Sequence, residues 1–294
     1  MSTTSPIVVI DSGLGGLTVV RALRAVLPAE DILYFGDTAR LPYGSKTAGT
    51  VMTFIQQIIG FVLAYEPKHV VIACNTATAL ALNAVRPMFP RLSISGVIAP
   101  GAKAAVAAAG AKRVPVIGVI ATEATIRSRA YERAICHRRH HARLLLRPTP
   151  LLVPLIEEGR RDSDPVLILA LEQYLAPFKE RRVDVLLLGC THYPILRNVI
   201  GQIVGARVKV IDSAEQCAQD VAHRLAGREL IRQMMPIVNE RVGSLKSFVT
   251  DDPLRFRKLA SRFLGTEIEV PTWVSPDELY HPHQAEFVPL SMPA

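Results

Sequence analysis

Residues 70–79, VVIACNTATA, constrain the fold more than any other stretch of the chain. A short β-branched and aliphatic run stops at Cys74, and a small polar cluster leads at once into an alanine-rich helical segment. Residues 186–194, LLLGCTHYP, repeat the pattern around Cys190. Short apolar runs bounded in this way read as strands buried on both faces, and open α/β sheets bind ligands beyond the carboxyl ends of such strands. Two cysteines at two such ends can face one pocket. A thiol on each side of a bound carbon can take a proton from one face and return one to the other, so the pair points to racemisation without a cofactor.

The rest of the chain continues the alternation. Residues 7–10 form an apolar run that meets Asp11, Ser12 and the glycines Gly13, Gly15 and Gly16, after which Leu17, Val20, Leu23 and Leu27 recur at helical spacing up to Pro28. A dinucleotide fingerprint would require a third glycine where Thr18 stands. The glycines instead let the backbone approach a small ligand whose carboxylate the helix amides attract, or they make a tight turn and nothing more. Residues 32–35 are a second strand, and beyond it Pro42 and Gly44 bend the chain, either to present Tyr43 and backbone amides to a ligand or as an ordinary surface turn. A helix through Val51, Phe54, Ile58, Phe61 and Val62 comes before the Cys74 strand, and a helix to about Val85 follows it. Residues 93–97 are a short strand, and an Ile-Ala-Pro-Gly lead brings in a helix over 102–109.

The pattern restarts with an apolar strand at 114–120, which ends at Ala121, Thr122 and Glu123. Asp11 and Cys74 are 63 residues apart, Thr122 and Cys190 are 68, and Asp212-Ser213 echoes Asp11-Ser12. This suggests a degenerate duplication: an α/β protein of two pseudo-symmetric domains, with mainly parallel sheets facing across a central cleft that holds the site. Residues 254–264 read as an amphipathic helix, and the proline-containing stretch from Thr266 as a wrapping or loose tail.

With 294 residues, 49% of them hydrophobic, the chain can bury two such cores. No apolar run approaches the roughly 20 residues of a membrane span, and MSTTSP lacks the features of a signal peptide, so a cytoplasmic location is expected. Cysteines at 74, 136, 190 and 217 form neither a disulfide framework nor a CxxC pattern, and Cys136 and Cys217 read as structural. The net charge of +8 favours anionic ligands, and one basic run is RRHHARLLLR at 138–147. Without interleaved aromatic residues this run reads as a solvated helix end entering a strand at 144–146, and nucleic acid is not expected. Cys136, His137, His140 and His141 lack the second cysteine or carboxylates of a metal site.

Five blocks carry a resemblance to a known family: VIDSGLGGLTV at 9–19, YFGDTARLPYGSK at 34–46, VIACNTATA at 71–79, IGVIATEATIRSRAY at 117–131 and LLGCTHYPIL at 187–196. In this order, over most of the chain, they resemble glutamate racemase of the aspartate/glutamate racemase superfamily. The resemblance implies a first domain over 1–98, a second over 99–211, and a return to the first over 212–294. It implies interconversion of L- and D-glutamate for peptidoglycan precursor synthesis without pyridoxal phosphate, metal or any other cofactor. Cys74 and Cys190 match the catalytic thiols, with Asp11 and His192 beside them. Asp11, Ser12, Pro42, Tyr43, Gly44, Asn75, Thr76, Thr122, Thr191 and His192 match the substrate-binding positions. The chain departs at Ala99, where many members have Glu, and at Ala121, where Gly precedes the threonine. A homodimer is expected.

The residues support this chemistry on their own terms. Each cysteine precedes a helix, which favours a thiolate, and Asp11 and His192 can each relay a proton on one side. Asn75, Thr76 and Thr191 suit carboxylates whose charge grows in a carbanion-like transition state. Racemisation of aspartate or a hydantoin, decarboxylation through one thiol, and a basic nucleic-acid- or protein-binding role remain as alternatives. Two complete cysteine motifs argue against decarboxylation.

Overall fold

The computed structural model describes residues 2–232 and 242–279, and within them ten strands form two parallel sheets. The first contains β1 (Ile7–Asp11), β2 (Ile32–Gly36), β3 (His69–Ile72), β4 (Ile94–Gly96), β9 (Leu245–Val249) and β10 (Thr272–Trp273). The second contains β5 (Val116–Ala121), β6 (Arg143–Pro148), β7 (Val185–Gly189) and β8 (Lys209–Asp212). Their orders are β10-β9-β2-β1-β3-β4 and β6-β5-β7-β8. The core of each sheet therefore runs second, first, third, fourth strand in chain order. In both halves the cysteine follows the third strand, beside the end of the first.

The strands are apolar throughout because both of their faces are covered. Along β1, Ile7 and Val9 join one hydrophobic cluster and Val8 and Ile10 another, as a period of two requires. β7 behaves likewise, with Leu186 and Leu188 on one side and Val185 and Leu187 on the other. The cluster holding Ile7 and Val9 also holds Leu186 and Leu188, so the two sheets share one continuous core. The helices Leu17–Val26 and Ser213–Ala226 pack together within it.

Several element limits differ from the sequence reading. The helix after Cys74 is two short ones, Asn75–Leu80 and Leu82–Val85, separated at Ala81. The alanine-rich helix begins at Ile98 rather than Ala102, because proline and glycine at its third and fourth positions fall in a first turn whose amides need no helical acceptor. Part of the tail is ordered into the sheet, since Thr272–Trp273 pairs with β9 and extends the edge. The remainder of the tail, 280–294, lies outside the described residues. One span, Ala48–Tyr65, is long and apolar enough to cross a membrane by composition, contrary to the reading that no run comes close. Its Val51, Ile55, Ile58, Ile59 and Val62 are buried against the first sheet.

Candidate active site

Both cysteines stand where a parallel strand gives way to a helical turn. Cys74 follows β3 and precedes the helix Asn75–Leu80, and Ser12 donates to its Sγ at 3.5 Å. Cys190 follows β7, and its Sγ lies 3.7 Å from His192 Nδ1. The two thiols line one cavity of about 310 Å³, the scale of a small-molecule site. Of the predicted site residues, Ser12, Pro42, Tyr43, Gly44, Asn75, Thr76, Thr122, Thr191 and His192 line it as well. Asp11 alone lies behind the wall, fully buried, accepting from Gly13 N at 3.0 Å and from Thr191 Oγ1 at 3.4 Å.

The two thiols have different electrostatic surroundings. Burial pushes the Cys74 thiol up to about 12, and the Asp11 charge adds to the rise; hydrogen bonds from Ser12 and the Ala77 amide oppose it. Cys74 is therefore protonated at neutral pH in the empty site. Burial also raises the Asp11 carboxyl, against the charge of His192 and the amides of Gly13 and Gly16. On the other side burial disfavours a charged His192, but its hydrogen bonds to Cys190 and Glu157 outweigh that cost and hold its pKa well above the usual imidazole value. The Glu157 bond runs from His192 Nε2 to Oε1 at 2.9 Å.

Polar groups from both halves meet over the cavity. Thr76 Oγ1 is 2.8 Å from Thr122 Oγ1 and 3.2 Å from Thr125 Oγ1, so a strand end of each sheet contributes to one hydroxyl cluster. Tyr131 OH donates to Asn75 Oδ1 at 2.6 Å, which leaves Asn75 Nδ2 buried with no protein acceptor among the described residues. A buried free donor of this kind costs stability unless a ligand accepts from it. The bend at 41–45 is held from below by Asp37. That fully buried carboxylate accepts from Arg40 Nε at 2.7 and 2.9 Å, from Thr250 Oγ1 at 3.0 Å and from Tyr43 OH.

The glycine loop does something other than the sequence reading proposed. Gly13, Gly15 and Gly16 do not line this cavity. A Cβ on Gly15 would lie 2.3 Å from Thr191 Oγ1 and 2.5 Å from His192 Nδ1, so the missing side chain lets the first half close against the second. Thr18 Oγ1, at the position that rules out a dinucleotide fingerprint, donates to Thr191 O at 3.0 Å and fastens the same contact.

The model of the Asp/Glu/Hydantoin racemase family matches residues 8–221. The chain belongs to that family. Its relatives include the glutamate racemase of Chlorobaculum tepidum, 43% identical over 91% of this chain and 95% of the relative. That of Geobacter metallireducens is 44% identical over 88% and 93%. Among solved structures, the glutamate racemase of Francisella tularensis in complex with D-glutamate superimposes with a TM-score of 0.83, at 36% identity over 93% of this chain and 98% of that one. The Thermus thermophilus enzyme, in complex with β-chloro-D-alanine, gives 0.79 at 41% identity over 95% and 100%.

Three residues of this candidate site escaped sequence reasoning. Glu157 ends the helix Leu152–Glu157 within LLVPLIEEG, a stretch with no strand-end signal, and only tertiary packing brings it to His192. Tyr131 and Thr125 stand inside a block that carried the family resemblance, yet nothing in their spacing marks them as partners of Asn75 and Thr76. Cys217 is fully buried in the shared core, and Cys136 is half-buried on the helix Ala130–Arg138. Among the described residues no group of His, Cys, Asp and Glu is arranged to hold a metal ion.

Proposed function

We infer that this chain interconverts L- and D-glutamate by two-thiol proton exchange, with the D-glutamate feeding peptidoglycan precursor synthesis. The observation that carries the reading is the pair of cysteines from equivalent strand ends on one small cavity. In the direction from L-glutamate, Cys190 as thiolate removes the α proton, with His192 as the adjacent cation. Cys74, protonated at neutral pH, then delivers a proton to the opposite face. The reverse direction exchanges the roles, and Asp11 is the group placed to receive the Cys74 proton. The unpartnered Asn75 Nδ2, the Thr76–Thr122 hydroxyls and Thr191 bind the two carboxylates, and Ser12, Pro42, Tyr43 and Gly44 complete the pocket. Glutamate is favoured over aspartate by the match to glutamate racemases over nine-tenths of the chain.

The test is circular dichroism of the purified protein with L-glutamate, D-glutamate and both aspartates, without added cofactor. Loss of optical activity from both glutamates, and far slower change with aspartate, is expected. A racemase of aspartate would reverse that order, and activity that needed zinc or pyridoxal phosphate would remove the two-thiol account. In deuterated water the first product formed carries deuterium while recovered substrate does not, because each thiol serves one face.

Three wider expectations belong to this reading. Sheet membership supports domains over 1–98 and 99–211 with a return to the first over 212–294, since β9 and β10 rejoin the first sheet. The four free cysteines suit a reducing, cytoplasmic setting. A homodimer is supported by Leu151, Val166 and Leu169, which are 56, 51 and 58% exposed, with Leu151 N hydrogen-bonded to Tyr174 of the helix bearing the other two. Light scattering of Leu169→Glu against the parent chain tests it.

A further inference from the structure

The cavity lies at the carboxyl ends of the strands. The opposite rim of the four-stranded sheet, where the strands begin, gathers charge from four stretches far apart in sequence. Lys112 and Arg113 lead into β5, and Arg138, Arg139 and Arg143 surround the entry to β6. Arg181 and Arg182, with Lys179, lead into β7, while Arg207 and Lys209 flank the start of β8. Residues 110–113, 138–143, 179–184 and 205–209 contain ten lysines and arginines against two acids, Glu180 and Asp184. That excess is as large as the +8 carried by the whole chain. Nine of the ten cations are exposed and the tenth, Arg139, is half-buried.

Cations near helix carboxyl ends can serve only the helix dipole, and some here do bond such carbonyls, Arg138 to Ala134 O and Lys209 to Ala108 O. The larger sheet shows that this is not the whole cause. Its helices end at the corresponding rim, yet the described residues of its entry loops, 2–6, 27–31, 66–68, 89–93, 227–232, 242–244 and 265–271, hold Glu30, Asp31, Glu66, Glu229, Glu267 and Glu269 against Lys68, Arg91, Arg228 and Arg232. Lys68 is itself buried and paired with Glu30. One rim is thus strongly basic and its counterpart slightly acidic in a pseudo-symmetric fold.

We propose that the basic rim of the four-stranded sheet binds the phosphate backbone of duplex nucleic acid, separately from the thiol chemistry. Four adjacent strand entries at about 4.8 Å spacing span roughly 14 Å, and a duplex presents one phosphate charge per about 1.7 Å of axis. The rim loops carry no Phe, Tyr or Trp, which removes the stacking that single strands need. Their one exposed large apolar side chain is Val114, too little to enter a lipid surface. Taken by themselves, residues 137–147 read first as a solvated helix end, with a basic binding role as the alternative. Folding adds three further basic loops beside them.

The test uses Arg113, Arg181, Arg182 and Arg207, whose side chains make no ion pair or hydrogen bond among the described residues, all changed to Gln. Fluorescence anisotropy with a labelled 30-base-pair duplex of arbitrary sequence is read from about 50 to 200 mM salt. The parent chain should bind with a slope of log affinity against log salt near −4, as for four to five phosphates at about 0.9 each. The variant should lose at least tenfold in affinity and most of that slope, with racemisation unchanged as proof of an intact fold. No binding at 50 mM salt would overturn the proposal, as would equal affinity in the variant. So would tighter binding to a single strand of the same length, or to vesicles of anionic lipid.

Discussion

Glu157→Gln removes one negative charge from beside His192 while keeping shape and hydrogen-bonding capacity. His192 is cationic in spite of its burial because Cys190 and Glu157 accept from it, and the Glu157 bond is 2.9 Å long. A hydrogen bond to a charged group is worth about 1.5–3 kcal/mol. The Glu157 side chain is 20% exposed, so solvent screens part of this and the lower half of the range applies. A loss of about 1.5–2 kcal/mol corresponds to a fall of roughly 10- to 30-fold in kcat/KM. The two glutamate enantiomers have equal free energy in water, so kcat/KM must fall by the same factor in both directions. The isotope effect reveals which proton transfer has slowed. If His192 serves the transfer at Cys190, the primary isotope effect on kcat/KM should grow for α-deuterated L-glutamate and shrink towards one for α-deuterated D-glutamate. Coupled or polarimetric rates on both labelled enantiomers decide it. A change in kcat/KM below twofold, or growth of the isotope effect on the D side, would refute the placement of Glu157 and His192 at Cys190.

The thiol assignment predicts that Cys74→Ser and Cys190→Ser each lose more than about a hundredfold in racemisation, since a serine is a far weaker acid, while Cys136→Ser stays near the parent rate. Cys217→Ser should keep its turnover but unfold at lower denaturant, because its site is fully buried and an unpaired hydroxyl there costs about 1–3 kcal/mol. Gly15→Ala should lower kcat/KM by more than about tenfold, because its Cβ must displace Thr191 or His192, and a folded variant of parent activity would discount that contact. His69, whose pKa burial lowers to about 3 with help from Arg224 and Arg228, is neutral in the fold and hydrogen-bonded to Ser93 and Ser95. The unfolded chain gains a proton there as pH falls below about 6.5, so this stability is present above that pH and is lost on the way down to about 3. Between pH 7 and 5 the loss is about 2 kcal/mol by urea titration, and His69→Gln should remove that part of the pH dependence.

The strands were legible because both faces of each sheet are covered, which makes residues 7–10, 70–72 and 185–188 apolar without interruption. The helix limits were less so: Pro100 and Gly101 look like a break, yet in a first turn they cost the helix little. Strand-end residues of the site were legible for the same reason as the strands, since a polar residue that stops an apolar run is conspicuous. Glu157, Tyr131 and Thr125 were not, because each reaches the site by packing and none stops an apolar run at a cysteine. The glycine loop misled for a related reason. Small residues signal close approach, but not whether a ligand or another part of the chain does the approaching.

The duplication explains why two thiols face one cavity, and its breakdown explains how they can differ. Asp11 and Ser12 end the first strand of one half, and Ala121 and Thr122 occupy the corresponding place in the other. Symmetry would put a carboxylate beside Cys190 at Ala121, but Ala121 carries none and Thr122 turns to Thr76 instead. The second half recovers a carboxylate from its own connection between β6 and β7, through Glu157, and places His192 between it and the sulfur. A racemase must hold three substituents of the carbon nearly fixed while hydrogen changes sides, so its binding groups cannot be duplicated for each enantiomer. Only the proton-handling groups come in two sets. A buried acid beside a thiol that is protonated in the empty site, and an imidazolium beside the other, make the two faces electrostatically different, so in this reading one thiol can donate as the other accepts.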